Sequence, residues 1–308
     1  MRITDYLFIL VVCPISINFT QRIEIGRNED VRGVTKLRNE IYVLCASSPS
    51  SSDVIRVFED RIPFLLQKTI EVKEIKYPRG IGSTDKGNCL YVCDSEEKCV
   101  WKMTRETDDQ HKIIKWLTTD YEPYTLSVSS DGQLLVVNLS SILMIYGSDA
   151  ELIRSIQLPR DIENPFHAVE TSIGNFIIIH EWVEEEKRES GSSGREETMW
   201  GVSELTRDGQ MVIRRFISSN ETQQLNNPQY LSIDSDDQVF VADTWNVRVI
   251  LLDSDLKWNR ILCPTKEETE ETKIRRPRRL CFDDEKKQLI VVGGLLGEGV
   301  NVYTLSRN

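Results

Sequence analysis

The side chains able to do chemistry are few and scattered. The chain has three histidines, His111, His167 and His180, and seven cysteines, Cys13, Cys45, Cys89, Cys93, Cys99, Cys263 and Cys281. Structural zinc sites are built from two closely spaced ligand pairs. Cys89, Cys93 and Cys99 form the tightest group, with His111 further on, but no second pair answers it. An odd count in a long chain does not describe a disulfide framework either. These residues read as reduced, strand-borne cysteines that act as small hydrophobes. Asp94, Asn138, Glu181 and Asp243 each end an apolar run and would offer oxygens to a calcium ion if they ringed a channel. Aspartate in such places more often caps a turn through its own backbone, and that reading is preferred. No nucleophile elbow, phosphate-cradling loop or instructive carboxylate pair is present. Gly293, Gly294, Gly297 and Gly299 fall in a hairpin rather than between a strand and a helix, which excludes a nucleotide cradle. The expectation is a chain without catalytic residue, metal or cofactor.

Arginine and aromatic residues, by contrast, recur at one place. Anchors at Val31, Pro78, Pro123, Pro165, Pro228 and Pro277 are each followed by such residues: Arg32, Arg79, Tyr124, Phe166 with His167, Tyr230, and Arg278 with Arg279. Arginine binds carboxylates bidentately, and aromatic rings supply rigid apolar area. Both dominate interface hot spots. Arg32, Arg79, Tyr124, His167, Tyr230, Arg278 and Arg279 are therefore the candidate partner-binding residues. The alternative for Tyr124, Phe166 and Tyr230 is packing between repeats. The basic run 273–279 adds a second possibility, RNA, because arginines beside aromatics stack bases. The acidic run 267–271 directly upstream argues for pairing within the chain instead.

What positions these residues is a repeat. The segment from Pro228 to Cys263 contains four apolar, β-rich runs: Tyr230 to Ile233, Val239 to Ala242, Val247 to Leu252 and Trp258 to Cys263. Turn residues separate them, so the unit is a four-stranded antiparallel meander. The anchors repeat every 42–49 residues, apart from one interval of 63 between Pro165 and Pro228. That interval holds Glu184 to Glu197, a polar Gly/Ser-rich stretch whose removal restores the period. It reads as a mobile insertion within one repeat. Six such units predict an all-β fold, a six-bladed β-propeller, which hides sheet edges by radial closure. After Pro277 only enough chain remains for three strands. The outer strand of the last blade must come from the amino-terminal side, with Arg22 to Ile25 pairing against Val300 to Leu305.

Residues 1–20 form an apolar segment, with Leu7 to Ile17 resembling the core of a signal peptide. Asp5, Pro14 and the lack of a small-x-small pattern weaken that reading, and an extra strand is the competing one. Three sequons begin at Asn18, Asn138 and Asn220. The reading is cytoplasmic, with secretion as the alternative. The formal charge of −11 disfavours non-specific nucleic-acid binding. No apolar run is long enough to span a bilayer.

The copy from Ile233 to Val249 resembles the NHL repeat of six-bladed propellers: hydrophobic-x-Asp, an acidic turn, an apolar run ending Val-Ala-Asp, then Asn246-Val-Arg248-Val. The copy around Asp94 is a looser match, and the other four lose the Asn-x-Arg element. The resemblance covers residues 21–308 and implies a binding platform for protein, sometimes RNA. A minority of similar propellers are metal-dependent lactonases or amidating lyases. The expectation is a propeller without a preceding zinc-finger or coiled-coil module. The function expected is a monomeric, non-catalytic scaffold that holds an acidic or phosphorylated protein segment. RNA binding and metal-dependent catalysis are the alternatives.

Overall fold

The structure is a computed structural model. It describes residues 15–23, 25, 30–46, 53–85, 88–107, 110–182, 199–218, 220–266, 268–270, 272–293 and 299–307. The insertion expected at Glu184–Glu197 and most of the apolar amino-terminal segment lie outside the described residues.

The fold is an all-β propeller of six four-stranded antiparallel blades. The chain begins with β1 (Ile15–Ile23), which belongs to the last blade. Blade 1 is β2 (Asp30–Leu37), β3 (Glu40–Ala46), β4 (Val54–Glu59) and β5 (Leu66–Glu71). Blade 2 is β6 (Pro78–Thr84), β7 (Cys89–Asp94), β8 (Cys99–Arg105) and β9 (His111–Thr118). Blade 3 is β10 (Thr125–Val128), β11 (Leu134–Val137), β12 (Ile142–Tyr146) and β13 (Leu152–Gln157). Blade 4 is β14 (Ile162–Glu170), β15 (Phe176–Trp182), β16 (Met199–Leu205) and β17 (Val212–Phe216). Blade 5 is β18 (Pro228–Ile233), β19 (Val239–Asp243), β20 (Arg248–Leu252) and β21 (Trp258–Cys263). Blade 6 is β22 (Pro277–Asp283), β23 (Gln288–Gly293) and β24 (Val300–Arg307), with β1 outermost.

Closure is as expected, and the shared strand is longer than the sequence suggested. β1 pairs with β24 from Ile15↔Arg307 to Ile23↔Val300, with a bulge between Phe19 and Gln21. Ile15–Thr20 of the apolar amino-terminal segment lie within this strand. The first strand of each blade lines the axis. Each of these inner strands meets the next around the ring, and β22 returns to β2.

Burial follows from this stacking. The second strand of each blade has a neighbouring blade on both faces, so β7, β11 and β19 are buried at every residue and need an unbroken apolar sequence. Fully burying one such Val, Leu or Ile is worth roughly 1.5–3 kcal/mol. The outermost strands β9 and β13 lie at the rim and alternate with exposed residues such as Ile114 and Leu152. The cores lie between blades. Leu126, Leu134 and Val136 of blade 3, for example, pack on Tyr91 and Val100 of blade 2. Cys45, Cys89, Cys93, Cys99 and Cys263 sit buried in these layers as free thiols, as small hydrophobes would.

Candidate functional site

Four inner strands open with the same irregularity. The register slips by one between Val31 and Gly33, Pro78 and Gly80, Pro228 and Tyr230, and Pro277 and Arg279. A bulge re-aims the residue it contains and the residue after it. Proline is tolerated there because a bulge leaves an amide unpaired. In blades 1, 2 and 6 the bulged residue, Arg32, Arg79 or Arg278, keeps its side chain partly exposed at the anchor-side mouth, whereas Gln229 of blade 5 is buried. The residue after the bulged one is glycine in blades 1 and 2, tyrosine in blade 5 and arginine in blade 6. Gly33 has to be glycine, because a Cβ there would lie 2.6 Å from Ile81 Cγ2.

The sequence-predicted ring therefore divides in two. Arg279, Tyr230 and His167 are expected at the surface but are only 5, 7 and 1 % exposed. They plug the axis. The Arg279 guanidinium donates from Nε to the Arg32 carbonyl at 2.9 Å, from Nη2 to the Arg79 carbonyl at 2.8 Å and from Nη1 to the Arg278 carbonyl at 2.8 Å. These are equivalent bulge carbonyls of blades 1, 2 and 6, so one cation satisfies three blades. It also lies 5.4 Å over the Tyr230 ring of blade 5. Tyr230 stacks on His167 of blade 4 at 3.6 Å between centroids. His167 Nδ1 accepts the Leu231 amide at 3.3 Å. Across the axis, the Tyr124 hydroxyl of blade 3 donates to Gln229 Oε1 of blade 5 at 3.3 Å. Burial, then the Arg279 charge, pushes His167 down to about 3, so it is neutral at physiological pH. Burial also pulls Arg279 below its ordinary value.

What stays accessible is an arc on the anchor-side face. The Arg32 guanidinium sits 5.2 Å over the Tyr77 ring, and Arg79 sits 4.5 Å over Tyr77 and 5.4 Å over Tyr124. Tyr124 meets Phe166 edge-on at 5.8 Å, and Phe166 leans on Trp200 at 5.1 Å. Arg32 and Arg278 both face Asp30, at 3.0 and 3.7 Å. Arg79 donates to Ser95 Oγ at 3.4 Å. It opens onto a groove of about 330 Å³ between blades 2 and 3, lined by Lys98, Tyr121, Tyr124, Asn138 and Leu139 among others. Leu139 is 46 % exposed and Tyr77 38 %. Sequence reasoning missed Tyr77, Lys98 and Leu139. Tyr77 directly precedes the Pro78 anchor, and Leu139 stands inside a sequon, so both carried a positional signal.

Asp94 and Asp243 act as turn caps, Asn138 caps locally, and Glu181 is held instead by a side chain of the neighbouring strand. Asp94 accepts the amides of Lys76, Tyr77, Glu96 and Glu97 and the Trp101 indole N–H. Asp243 accepts the Asn226 amide, the Asn246 side chain and Arg248 Nε. Asn138 Oδ1 accepts the Ser140 amide and hydroxyl, and Glu181 accepts Asn164 Nδ2. Among the described residues no three His, Cys, Asp or Glu side chains come together as a metal site. His111 opens strand β9 rather than lying between strands. Buried His180 bridges Glu181 O and Ser203 Oγ. Lys115, on the rim, pairs with Glu97 at 2.8 Å.

The basic run is also divided. Ile274, Pro277 and Arg279 are buried, Arg275 and Arg276 are exposed, and Arg275 faces Glu270 at 3.9 Å. Arg214 and Arg215 pair with Glu204 and Asp161. Among the described residues no helix is long and apolar enough to cross a membrane.

No family model matches the sequence. No curated protein matches it either. Among solved structures, the chain is similar to Kuenenia stuttgartiensis hydrazine synthase, with a TM-score of 0.59 and 13 % identity over 93 % of this chain and 97 % of that one. At that identity the likeness extends to the propeller fold alone.

Proposed function

We propose that the chain is a non-catalytic binding platform of the NHL type whose anchor-side face holds an acidic or phosphorylated segment of a protein partner. One observation carries this reading. Arg79 and Lys98 flank a groove that also presents tyrosine rings and the exposed Leu139. Among the described residues no carboxylate pairs with Arg79. A guanidinium already oriented by two tyrosine faces loses little freedom when it binds a carboxylate or phosphate. The tyrosines and Leu139 add apolar area beside the charge. The NHL assignment rests on the Asp243–Arg248 turn, where Asn246 and Arg248 both hold Asp243 and give the Asn-x-Arg element a structural reason. Free cysteines throughout the described layers support a reducing, cytoplasmic setting.

The test is an array of acidic and phosphoserine peptides probed with the wild-type chain and with Arg79→Glu, alongside a single-stranded RNA probe. Peptide binding that weakens at least about tenfold in Arg79→Glu is the expected result. RNA binding that exceeds peptide binding, or peptide binding indifferent to Arg79, would replace this reading.

A further inference from the structure

The plug formed by Arg279, Tyr230 and His167 closes the axis from the anchor side and leaves a second cavity behind it. This cavity, about 310 Å³, opens on the opposite face, where the inner strands end. All six blades line it, with Thr35, Ser83, Ser127, His167, Ser232 and Phe282 as one residue from each. Sites for small ligands start at roughly this volume.

Its polar lining has a definite sense. Ser83 Oγ donates to the Lys36 carbonyl at 2.6 Å, and Ser127 Oγ donates to the Ala168 carbonyl at 2.6 Å. Thr35 and Ser83 hydroxyls stand 2.8 Å apart, and since the Ser83 proton is used, Thr35 donates. Ser129 gives its proton to Asp131. These bonds tie neighbouring strands together and use the hydroxyl protons, so lone pairs are what remain for a ligand. Ser232 accepts the Phe282 amide at 3.2 Å and keeps its own proton. The floor carries an unmet donor. His167 Nδ1 accepts from Leu231, so Nε2 bears the proton. Nε2 lies near the Leu126 carbonyl but makes no hydrogen bond of normal geometry, although the ring is 1 % exposed. Buried donors are rarely left unpaired. Between the polar groups run apolar walls, including Ile81, Val128, Val169 and Leu280.

Charge selects the class of ligand. The Arg279 cation stands directly behind the floor, in the His167–Tyr230 cluster, and opposes a cation. Glu170 stands in the lining, its carboxyl raised mainly by burial and then by the Asp131 charge, with Arg207 and Arg154 acting the other way, and it opposes an anion. A molecule rich in hydroxyl donors, with carbon faces between them, fits acceptors, a lone donor and apolar walls together. We propose that this cavity is a site for a small uncharged polyol of about monosaccharide size, separate from the anchor-side face.

The experiment is a two-dimensional amide NMR titration of the full chain with glucose, xylose and myo-inositol, with choline and malonate as charged comparisons. At least one polyol is expected to shift amides around Ser83, Ser127 and Ser232. In Ile233→Trp, which fills the cavity mouth, the dissociation constant should rise at least about tenfold. In Arg79→Glu it should stay unchanged. The proposal is overturned if no polyol shifts those amides, if choline or malonate binds better, or if folded Ile233→Trp binds as well as wild type. Should Ile233→Trp not fold, the wild-type shifts decide alone. Shifts confined to the anchor-side face, or none, sink the site.

Discussion

Replacing Arg279 by alanine tests whether the axis is held by one buried cation. The guanidinium makes three hydrogen bonds to carbonyls, at 2.9, 2.8 and 2.8 Å, and covers the Tyr230 ring. Hydrogen bonds from a charged donor contribute about 1.5–3 kcal/mol each. Against them stands the desolvation of a charge that, among the described residues, has no carboxylate partner, a penalty of several kcal/mol. The balance alone is modest, but alanine also leaves three carbonyls unmet and a void at the axis. Together these give a loss of about 3–5 kcal/mol, in the range reserved for disrupted buried networks. For a chain of 308 residues the unfolding entropy is about 0.6 kcal/mol per degree, so the melting temperature should fall by about 5–8 °C. Arg279→Lys should recover part of this, because one ammonium cannot reach three carbonyls in a fixed plane. Arg79→Ala, at the neighbouring bulge but with its side chain on the rim, should stay within about 1 kcal/mol. Thermal scans at one matched rate give the comparison. Arg279→Ala melting within about 2 °C of both wild type and Arg79→Ala would refute the plug and return Arg279 to the surface.

Deleting residues 1–23 removes the outer strand of blade 6 and exposes the edge of β24, so the chain should melt lower and aggregate; an unchanged scan with clear solution would contradict the shared blade. Acid should destabilise the protein through its histidines. His167 and His180 are held down to about 3 and about 4, mainly by burial, so the unfolded state binds more protons below its histidine pKa of about 6.5. Stability is full above that value and lost as pH falls towards the folded values, by about 2 kcal/mol per histidine at pH 5, and melting temperatures of His167→Gln and wild type from pH 5 to 8 should show a shallower slope in the variant. Val247 has φ 54 in the turn after Asp243, a left-handed conformation that a β-branched residue resists, so Val247→Asn should stabilise by about 1 kcal/mol, readable as a higher urea midpoint. Burial raises the Cys93 thiol to about 12, so an aromatic disulfide reagent at pH 8 should leave it unlabelled until denaturant is added.

The repeat was legible because a four-stranded blade needs the same apolar runs and turns in each copy, so anchors such as Pro78 and Pro228 keep their spacing. The shared blade was legible from the shortage of strands after Pro277. The direction of the side chains was not legible. Arg278 and Arg279 are adjacent arginines, yet one is in the bulge and partly exposed while the other is buried, since successive strand residues face opposite ways and a bulge shifts the phase by one. Counting from the anchors, Gly33 and Gly80 occupy the place of Tyr230 and Arg279. Two glycines at a position that in blades 4, 5 and 6 holds His167, Tyr230 and Arg279 were the available sign of a crowded axis. The Asp94 and Asp243 caps were readable because aspartate opening a tight turn answers nearby amides, a local bond that needs no knowledge of the rest of the fold.

The plug also determines how the two faces relate. An open propeller channel would let one ligand reach both mouths, and a substitution at either end would then disturb both. Here the groove bearing Arg79 and the cavity floored by His167 are separated by Arg279, Tyr230 and His167 themselves, packed around the axis from blades 4, 5 and 6. Variants on one face should leave the other alone, since sites without shared partners act additively. Arg279 is the exception because it touches both. Its Nη2 bond ends on the carbonyl of Arg79, and its charge acts on the His167 ring. Removing Arg279 should therefore loosen the anchor-side groove and relieve the smaller, electrostatic part of what keeps His167 neutral, whereas Arg79→Glu and Ile233→Trp each change one face only.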